Sequence, residues 1–152
     1  MTQIVEFEPK QPSHAFKRST KPLSRRDARV SAISICYEAS MKNLLPIEIA
    51  QAIGTESLDP LTVAIVRGVS DEFNSINEMI SDHSVRWESS RLPIVEICIL
   101  QCAIFELLGG ENSVGTVINE AVELTKHLAL PESTNYINGI LSAIAKEYVN
   151  NQ

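Results

Sequence analysis

Apolar residues recur every three or four positions along most of the chain, and this is the period of an α-helix. Four segments show the period with polar residues between, and they cover residues 24–41, 60–80, 114–128 and 133–148. No segment carries the strict apolar and polar alternation of a half-buried strand. The pattern therefore predicts an all-α fold, a compact bundle of about six or seven helices.

Proline and glycine residues mark where further helices begin and end. Pro46 and Gly54 bracket a short second helix, and Asp59-Pro60 announces a long third one. Residues 93–108 are apolar on nearly every side and stop at Gly109-Gly110, which is typical of a helix enclosed by others. This stretch is short for a membrane span and is interrupted by charge, so we interpret it as a buried central helix.

The start of the first helix carries two cations where a helix does not favour them. Ser24 has the properties of an N-cap, and Asp27, three residues later, those of its partner in a capping box. Arg25 and Arg26 then fall in the first turn, where unpaired N–H groups already create positive potential. Each costs roughly 0.3 to 1 kcal/mol there unless an anion compensates. A phosphate backbone is the candidate for this compensating anion.

Charge is distributed unevenly along the 152 residues, whose formal net charge is -6. Residues 1–29 hold seven Lys/Arg against three Asp/Glu, whereas residues 30–152 hold six against sixteen. The basic residues and prolines of 1–22 show no apolar period, so we predict a flexible basic N-terminal arm there. Residues 23–150 then form one helical domain.

The residues offer little for catalysis or for a metal. Cys98 and Cys102 lie one turn apart on the apolar helix, without a histidine or a further cysteine at a zinc-site interval, so we interpret them as core. Gly-rich phosphate loops and hydrolase or protease motifs are absent. We expect no enzyme, no cofactor and no metal site. An odd cysteine count and an N-terminus unlike a signal peptide favour a cytoplasmic protein.

The first helix presents arginines and an aromatic residue within one arc. At about 100° per residue, Arg25, Arg26 and Arg29 share that arc, and Tyr37 returns close to the direction of Arg26. Arginines contact phosphates and a tyrosine ring stacks on unpaired bases, so the pattern favours single-stranded RNA over a duplex. The alternative is a solvated basic turn with Tyr37 packed in the core.

Several separated segments resemble the NusB family of bacterial transcription antitermination factors, over roughly residues 23–149. They are SRRDARVSAISICYEAS, WESSRLPIVEICILQCAIFELL, VINEAVELTK and NYINGIL, in the family's order. The resemblance implies an all-helical fold of two packed subdomains without enzymatic activity. It also implies binding of boxA-type single-stranded RNA together with the ribosomal protein NusE. Such a complex acts on the RNA polymerase elongation complex, chiefly on ribosomal RNA operons.

The resemblance assigns roles to individual residues. Those matched to RNA contacts are Arg25, Arg26, Arg29, Tyr37, Glu132 and Tyr136. Glu96 corresponds to a glutamate near the NusE contact, and the alternative for it is a plain surface residue. Asn119 and Glu120 are a family signature that we interpret as structural, with a buried amide bracing helices.

This chain departs from the family pattern at three positions. Asp27 interrupts the arginine run, and Gln101 and Asn135 stand where a basic residue is frequent. We expect reduced RNA affinity, with the basic arm as compensation. Three alternatives stay open: a protein-interaction module of the same fold with little RNA binding, a stand-alone relative of the N-terminal domain of ribosomal RNA cytosine methyltransferases, and a homodimer rather than a monomer.

Overall fold

This computed structural model describes residues 23–84 and 92–149, whose regular secondary structure is helical, and no strand occurs there. Its α-helices are α1 (Arg25–Lys42), α2 (Pro46–Ile53), α3 (Pro60–Asp71), α4 (Phe73–His83), α5 (Ile94–Gly109), α6 (Val114–Leu128) and α7 (Thr134–Tyr148). Short 3-10 turns occupy Thr55–Ser57 and Pro131–Ser133. The all-α prediction is confirmed. The predicted arm, residues 1–22, lies outside the described residues.

Two compact units make up the chain, and they meet in sequence between Asp71 and Glu72. In the N-terminal unit, α1 packs against α2 and α3, and α2 packs against α3. The Thr62 hydroxyl donates to the Ala28 carbonyl at 2.8 Å, and both residues are buried. Because Ala28 has a small side chain, α3 approaches the backbone of α1 closely enough for this bond.

In the C-terminal unit, α5 packs against α4, α6 and α7. Every residue from 98 to 104 is buried. Since seven consecutive positions cover all directions around a helix, α5 is enclosed on every side, as its composition predicted. Cys98 and Cys102 lie buried inside this core. None of the described helices combines the length and the apolar character that crossing a bilayer requires.

The long third helix predicted over residues 60–80 is wrong in one respect, because the structure contains two helices there. Glu72, with φ -112° and ψ 29°, separates α3 from α4. Just before it, the Ser70 hydroxyl donates to the Val66 carbonyl at 2.8 Å and accepts from the Ile47 N–H at 2.9 Å. A serine that bonds back to its own helix tends to bend it. The bond to α2 is a tertiary contact that apolar periodicity cannot report.

The predicted N-cap of α1 is confirmed. Ser24 has extended backbone angles, and its hydroxyl accepts from the Asp27 N–H at 3.0 Å. The structure does not show the second bond that would complete a capping box, in which the Ser24 N–H would donate to the Asp27 carboxylate. Asp27 therefore supports the helix start through its negative charge in the first turn.

We expect Ser24→Ala to lower the free energy of unfolding by about 1 kcal/mol, since an N–H of the first turn loses its acceptor. Ser24→Gly should cost only a few tenths of a kcal/mol. Urea denaturation followed by circular dichroism measures both. Ser142, exposed inside α7, is the matched control, and its change to Ala should not destabilise the protein. Equal unfolding curves for Ser24→Ala and wild type would contradict the capping role.

Candidate nucleic-acid interface

The N-terminus of α1 presents the arginines that the sequence singled out. Arg25 and Arg26 are exposed in the first turn, and Arg29 is half-buried one turn later. Asp59 fixes the chain at this point, because one carboxylate oxygen accepts from the Leu23 N–H at 3.1 Å and the other from the Leu61 N–H at 2.8 Å. The same aspartate thus caps α3 and holds the residue before the α1 cap. We call Arg25, Arg26 and Arg29 the arginine tip.

The arginine tip is the densest group of cations within the described residues. The other described cations are Lys42, Arg67, Lys126 and Lys146. Two of them pair locally with carboxylates, Lys42 with Glu38 at 2.7 Å and Lys126 with Glu123 at 3.1 Å. Backbone N–H groups at a helix N-terminus add positive potential, so an anion placed at the arginine tip would meet both sources.

Tyr37 lies in the core of the protein, with only 9% of its surface exposed. It ends a run from Ser31 in which every residue of α1 is buried. Tyr37 points in nearly the same direction as Arg26, but three turns further along the helix, where no surface is open. This position favours the packing alternative over base stacking, and the role of Tyr37 in RNA binding stays a prediction.

A second group of predicted residues comes together in the C-terminal unit. Glu96, near the start of α5, is 3% exposed, so the alternative of a plain surface residue is wrong. Its Oε2 accepts a hydrogen bond from the Ser133 hydroxyl at 2.7 Å. Tyr136, half-buried in the first turn of α7, is hydrogen-bonded to the Glu96 and Ser133 side chains. We call Glu96, Ser133 and Tyr136 the hydroxyl–carboxylate cluster.

Burial raises the pKa of the Tyr136 phenol above its ordinary 10.0, hydrogen bonding with Ser133 opposes this shift, and the negative charge of Glu96 adds to it. The Tyr136 hydroxyl therefore keeps its proton at neutral pH. Ser133 gives its single proton to the Glu96 carboxylate. The phenol also carries one proton, and it donates this proton to the same carboxylate. The cluster is thus a buried acceptor with two hydroxyl donors.

Glu132 precedes the cluster on the Pro131–Ser133 turn, where its side chain is exposed. The seven predicted site residues therefore divide by unit. Arg25, Arg26, Arg29 and Tyr37 belong to the N-terminal unit, and Glu96, Glu132 and Tyr136 to the C-terminal unit. Sequence reasoning missed Ser133 as a site residue. A serine beside a helix start suggests a cap, and nothing in the sequence shows that this hydroxyl bonds to α5.

Comparison with known proteins agrees with this architecture. The model of the NusB family matches residues 26–146. The chain belongs to the NusB family. It is 32% identical over 128 residues to the transcription antitermination protein NusB of Saccharopolyspora erythraea, covering 80% of this chain and 86% of that protein. It is also 32% identical over 127 residues to NusB of Bacillus subtilis, covering 82% and 97%.

A solved structure of T. maritima NusB superposes with a TM-score of 0.72 at 26% identity. The superposition covers 84% of this chain and 94% of the T. maritima chain. The fold described above is therefore the NusB fold, and transcription antitermination is the function that the named relatives share.

The structure shows the surroundings of Gln101 and Asn135, the two positions where the family often has a basic residue. Gln101, where the family often has a basic residue, is buried, and its amide donates to Asn77 Oδ1 at 2.8 Å, so it links α5 to α4. Asn135 is exposed.

The interpretation of Asn119 as a buried bracing amide is wrong, because Asn119 is exposed on α6 and Glu120 is half-buried. Both lie within an amphipathic helix whose buried side is formed by other residues.

From its burial we expect Tyr37→Ala to lower the free energy of unfolding by about 3 kcal/mol or more, because truncation leaves a cavity the size of a ring. Tyr37→Phe keeps the ring and should retain most of the stability. Thermal and urea unfolding of both variants provide the measurement. A Tyr37→Ala protein that is as stable as wild type but has lost RNA affinity would instead support base stacking.

Proposed function

We propose that this NusB-family chain binds boxA-type single-stranded RNA together with the ribosomal protein NusE, and thereby supports read-through by the RNA polymerase elongation complex, chiefly on ribosomal RNA operons. The observation that carries the proposal is the arginine tip, two exposed arginines and a half-buried third at a capped helix start. In this assignment Arg25, Arg26 and Arg29 bind phosphates.

The charge of residues 30–152 supports phosphate binding outside that part of the chain. Residues 30–152 hold sixteen Asp/Glu against six Lys/Arg, which repels a polyanion from most of the protein. Phosphates therefore favour the arginine tip over the acidic remainder. Guanidinium groups donate in a planar fork that suits phosphate oxygens, so arginine serves here better than lysine.

Tyr136 supplies the contact that charge alone cannot. Its side chain on α7 is half-buried, and its hydroxyl belongs to the hydroxyl–carboxylate cluster. Aromatic rings stack on the unpaired bases of single strands at about 1–3 kcal/mol per base, a contact that a base-paired duplex does not offer. We assign Tyr136 to base contact and the exposed Glu132 beside it to the same RNA surface.

We further propose that the chain works as an adaptor in the cytoplasm, without catalytic chemistry of its own. In the described residues, no three His, Cys, Asp or Glu side chains are grouped to hold a metal ion. The buried thiols of Cys36, Cys98 and Cys102 are core residues rather than exposed nucleophiles.

We expect the salt dependence of RNA binding to report the arginine tip. Three phosphate contacts on a single strand should contribute about -2 to the slope of log K against log salt concentration, at about 0.7 per contact. Changing Arg25, Arg26 and Arg29 together to Gln should make the slope less steep by about that amount. Fluorescence anisotropy with a labelled boxA-type RNA, at several salt concentrations and with NusE present or absent, gives the slopes.

Arg67→Gln is the matched control, because Arg67 is an exposed arginine of α3 in the same unit. It should leave the slope unchanged. If the triple variant keeps the wild-type affinity and slope, the arginine tip is not the phosphate site. Binding to NusE without any arginine-dependent RNA affinity would favour the protein-interaction module.

A further inference from the structure

Glu96 is a buried carboxylate without a role in the phosphate contacts proposed above. Only 3% of its surface is exposed, so it has little area with which to touch RNA or a protein partner. An unpaired carboxylate in such a place would cost several kcal/mol of stability. Its position therefore calls for an explanation in terms of the groups around it, which are the Ser133 and Tyr136 hydroxyls.

The geometry of these hydroxyls joins α5 to the start of α7. Ser133 is buried, and its hydroxyl donates to Glu96 Oε2 at 2.7 Å, a short bond of the kind that a charged acceptor produces. Ser133 also closes the 3-10 turn before α7, because its N–H donates to the Leu130 carbonyl at 2.9 Å. Glu96 thereby fixes the turn from which α7 begins.

The second donor is the residue that we assign to base contact. The Tyr136 hydroxyl is hydrogen-bonded to Glu96 and Ser133, and the residue as a whole is half-buried. A tyrosine held at its hydroxyl end keeps one ring orientation before a ligand arrives, and a ligand then does not have to order it. Glu106, the other buried glutamate of α5, accepts instead from Asn112 Nδ2 at 3.2 Å.

We infer that Glu96 is a positioning residue for RNA recognition, which holds the ring of Tyr136 in its base-stacking orientation through the hydroxyls of Tyr136 and Ser133. The inference rests on the proposed function. It differs from a direct contact of Glu96 with NusE, because here Glu96 affects the affinity for RNA, and it does so indirectly through the orientation of Tyr136.

A double-mutant cycle tests the inference. Tyr136→Phe keeps the ring and removes the hydroxyl that bonds to Glu96, whereas Glu96→Leu removes the acceptor. Each should weaken binding of a labelled boxA-type RNA, with NusE in constant excess, by about three- to tenfold, the effect of ordering one side chain on binding. The double variant should bind no more weakly than the weaker single variant, because both changes break the same link. Glu96→Gln, which keeps an oxygen acceptor, should retain most of the affinity.

Titration of the phenol gives a readout that needs no RNA. The difference in absorbance at 295 nm between wild type and Tyr136→Phe isolates the ionisation of Tyr136. Glu96→Gln should lower the pKa of Tyr136, because it removes the nearby negative charge, while burial keeps it above the ordinary 10.0. An unchanged titration would show that the two groups are not in contact in solution.

Glu106→Gln is the matched control, and it should leave both the titration and the RNA affinity as in wild type. If Glu96→Leu does not fold, Ser133→Ala breaks the same cluster and replaces it in the cycle. Wild-type RNA affinity in Tyr136→Phe, or additive losses in the double variant, would overturn the inference. A loss of NusE binding alone would overturn it in favour of direct partner contact.

The outcomes also separate the inference from the proposed function. If wild-type protein binds the RNA through the arginine tip and Tyr136→Ala weakens binding, but the cluster variants do not, only the positioning role fails. If wild-type protein shows no arginine-dependent RNA affinity, the proposed function fails, and the positioning role fails with it.

Discussion

Burial of α1 from Ser31 to Tyr37 is the constraint on which the rest of the N-terminal unit depends. Seven consecutive buried positions leave this part of the helix without a face on which charges could stay solvated. Exposed basic residues can therefore stand only near an end of the helix. At the N-terminal end they meet the unpaired N–H groups of the first turn, and the two positive potentials add. The arginine tip is thus a consequence of where the helix is buried, rather than a basic stripe along an amphipathic helix.

The arginine tip and the hydroxyl–carboxylate cluster differ in their electrostatics, since one holds exposed cations and the other a buried anion. Each exposed arginine costs the helix start roughly 0.3 to 1 kcal/mol unless an anion compensates, and a domain of this size tolerates such a cost. Glu96 is an anion removed from water, and it is tolerated because the hydroxyls of Ser133 and Tyr136 donate to it. Repulsion among exposed cations is relieved when an anion binds. A buried anion that already has its donors gains nothing from a new ligand, so its contribution is to orient its partners.

Periodicity and capping rules predict the helices of this chain well but not their surroundings. Ser24 was identifiable as a cap because the signal is local. The long apolar run predicted the burial of α5, because a helix that is buried on all sides needs apolar residues on all sides. The break at Glu72 depends on a bond between Ser70 and another helix, which no local pattern carries. Helical periodicity gives the direction of a side chain around its axis, and it does not tell how deeply that part of the axis is buried. For this reason Tyr37 and Arg26 share a direction in the sequence and differ in exposure in the structure.

The acidic composition of residues 30–152 has a further consequence for how an RNA strand is recognised. A protein with many surface cations holds a strand at many phosphates, and the contacts then carry little information about the bases. Here the cations of the described residues are concentrated at one helix start. In the function proposed above, phosphate contacts would therefore fix the position of the strand at few points. Discrimination between bases then has to come from uncharged contacts, which lose strength steeply when the contacting group is free to move. A stacking ring gains most from a fixed orientation in such a protein. The positioning role inferred for Glu96 would provide that orientation, because a buried carboxylate holds the ring by its hydroxyl without adding surface charge near the strand.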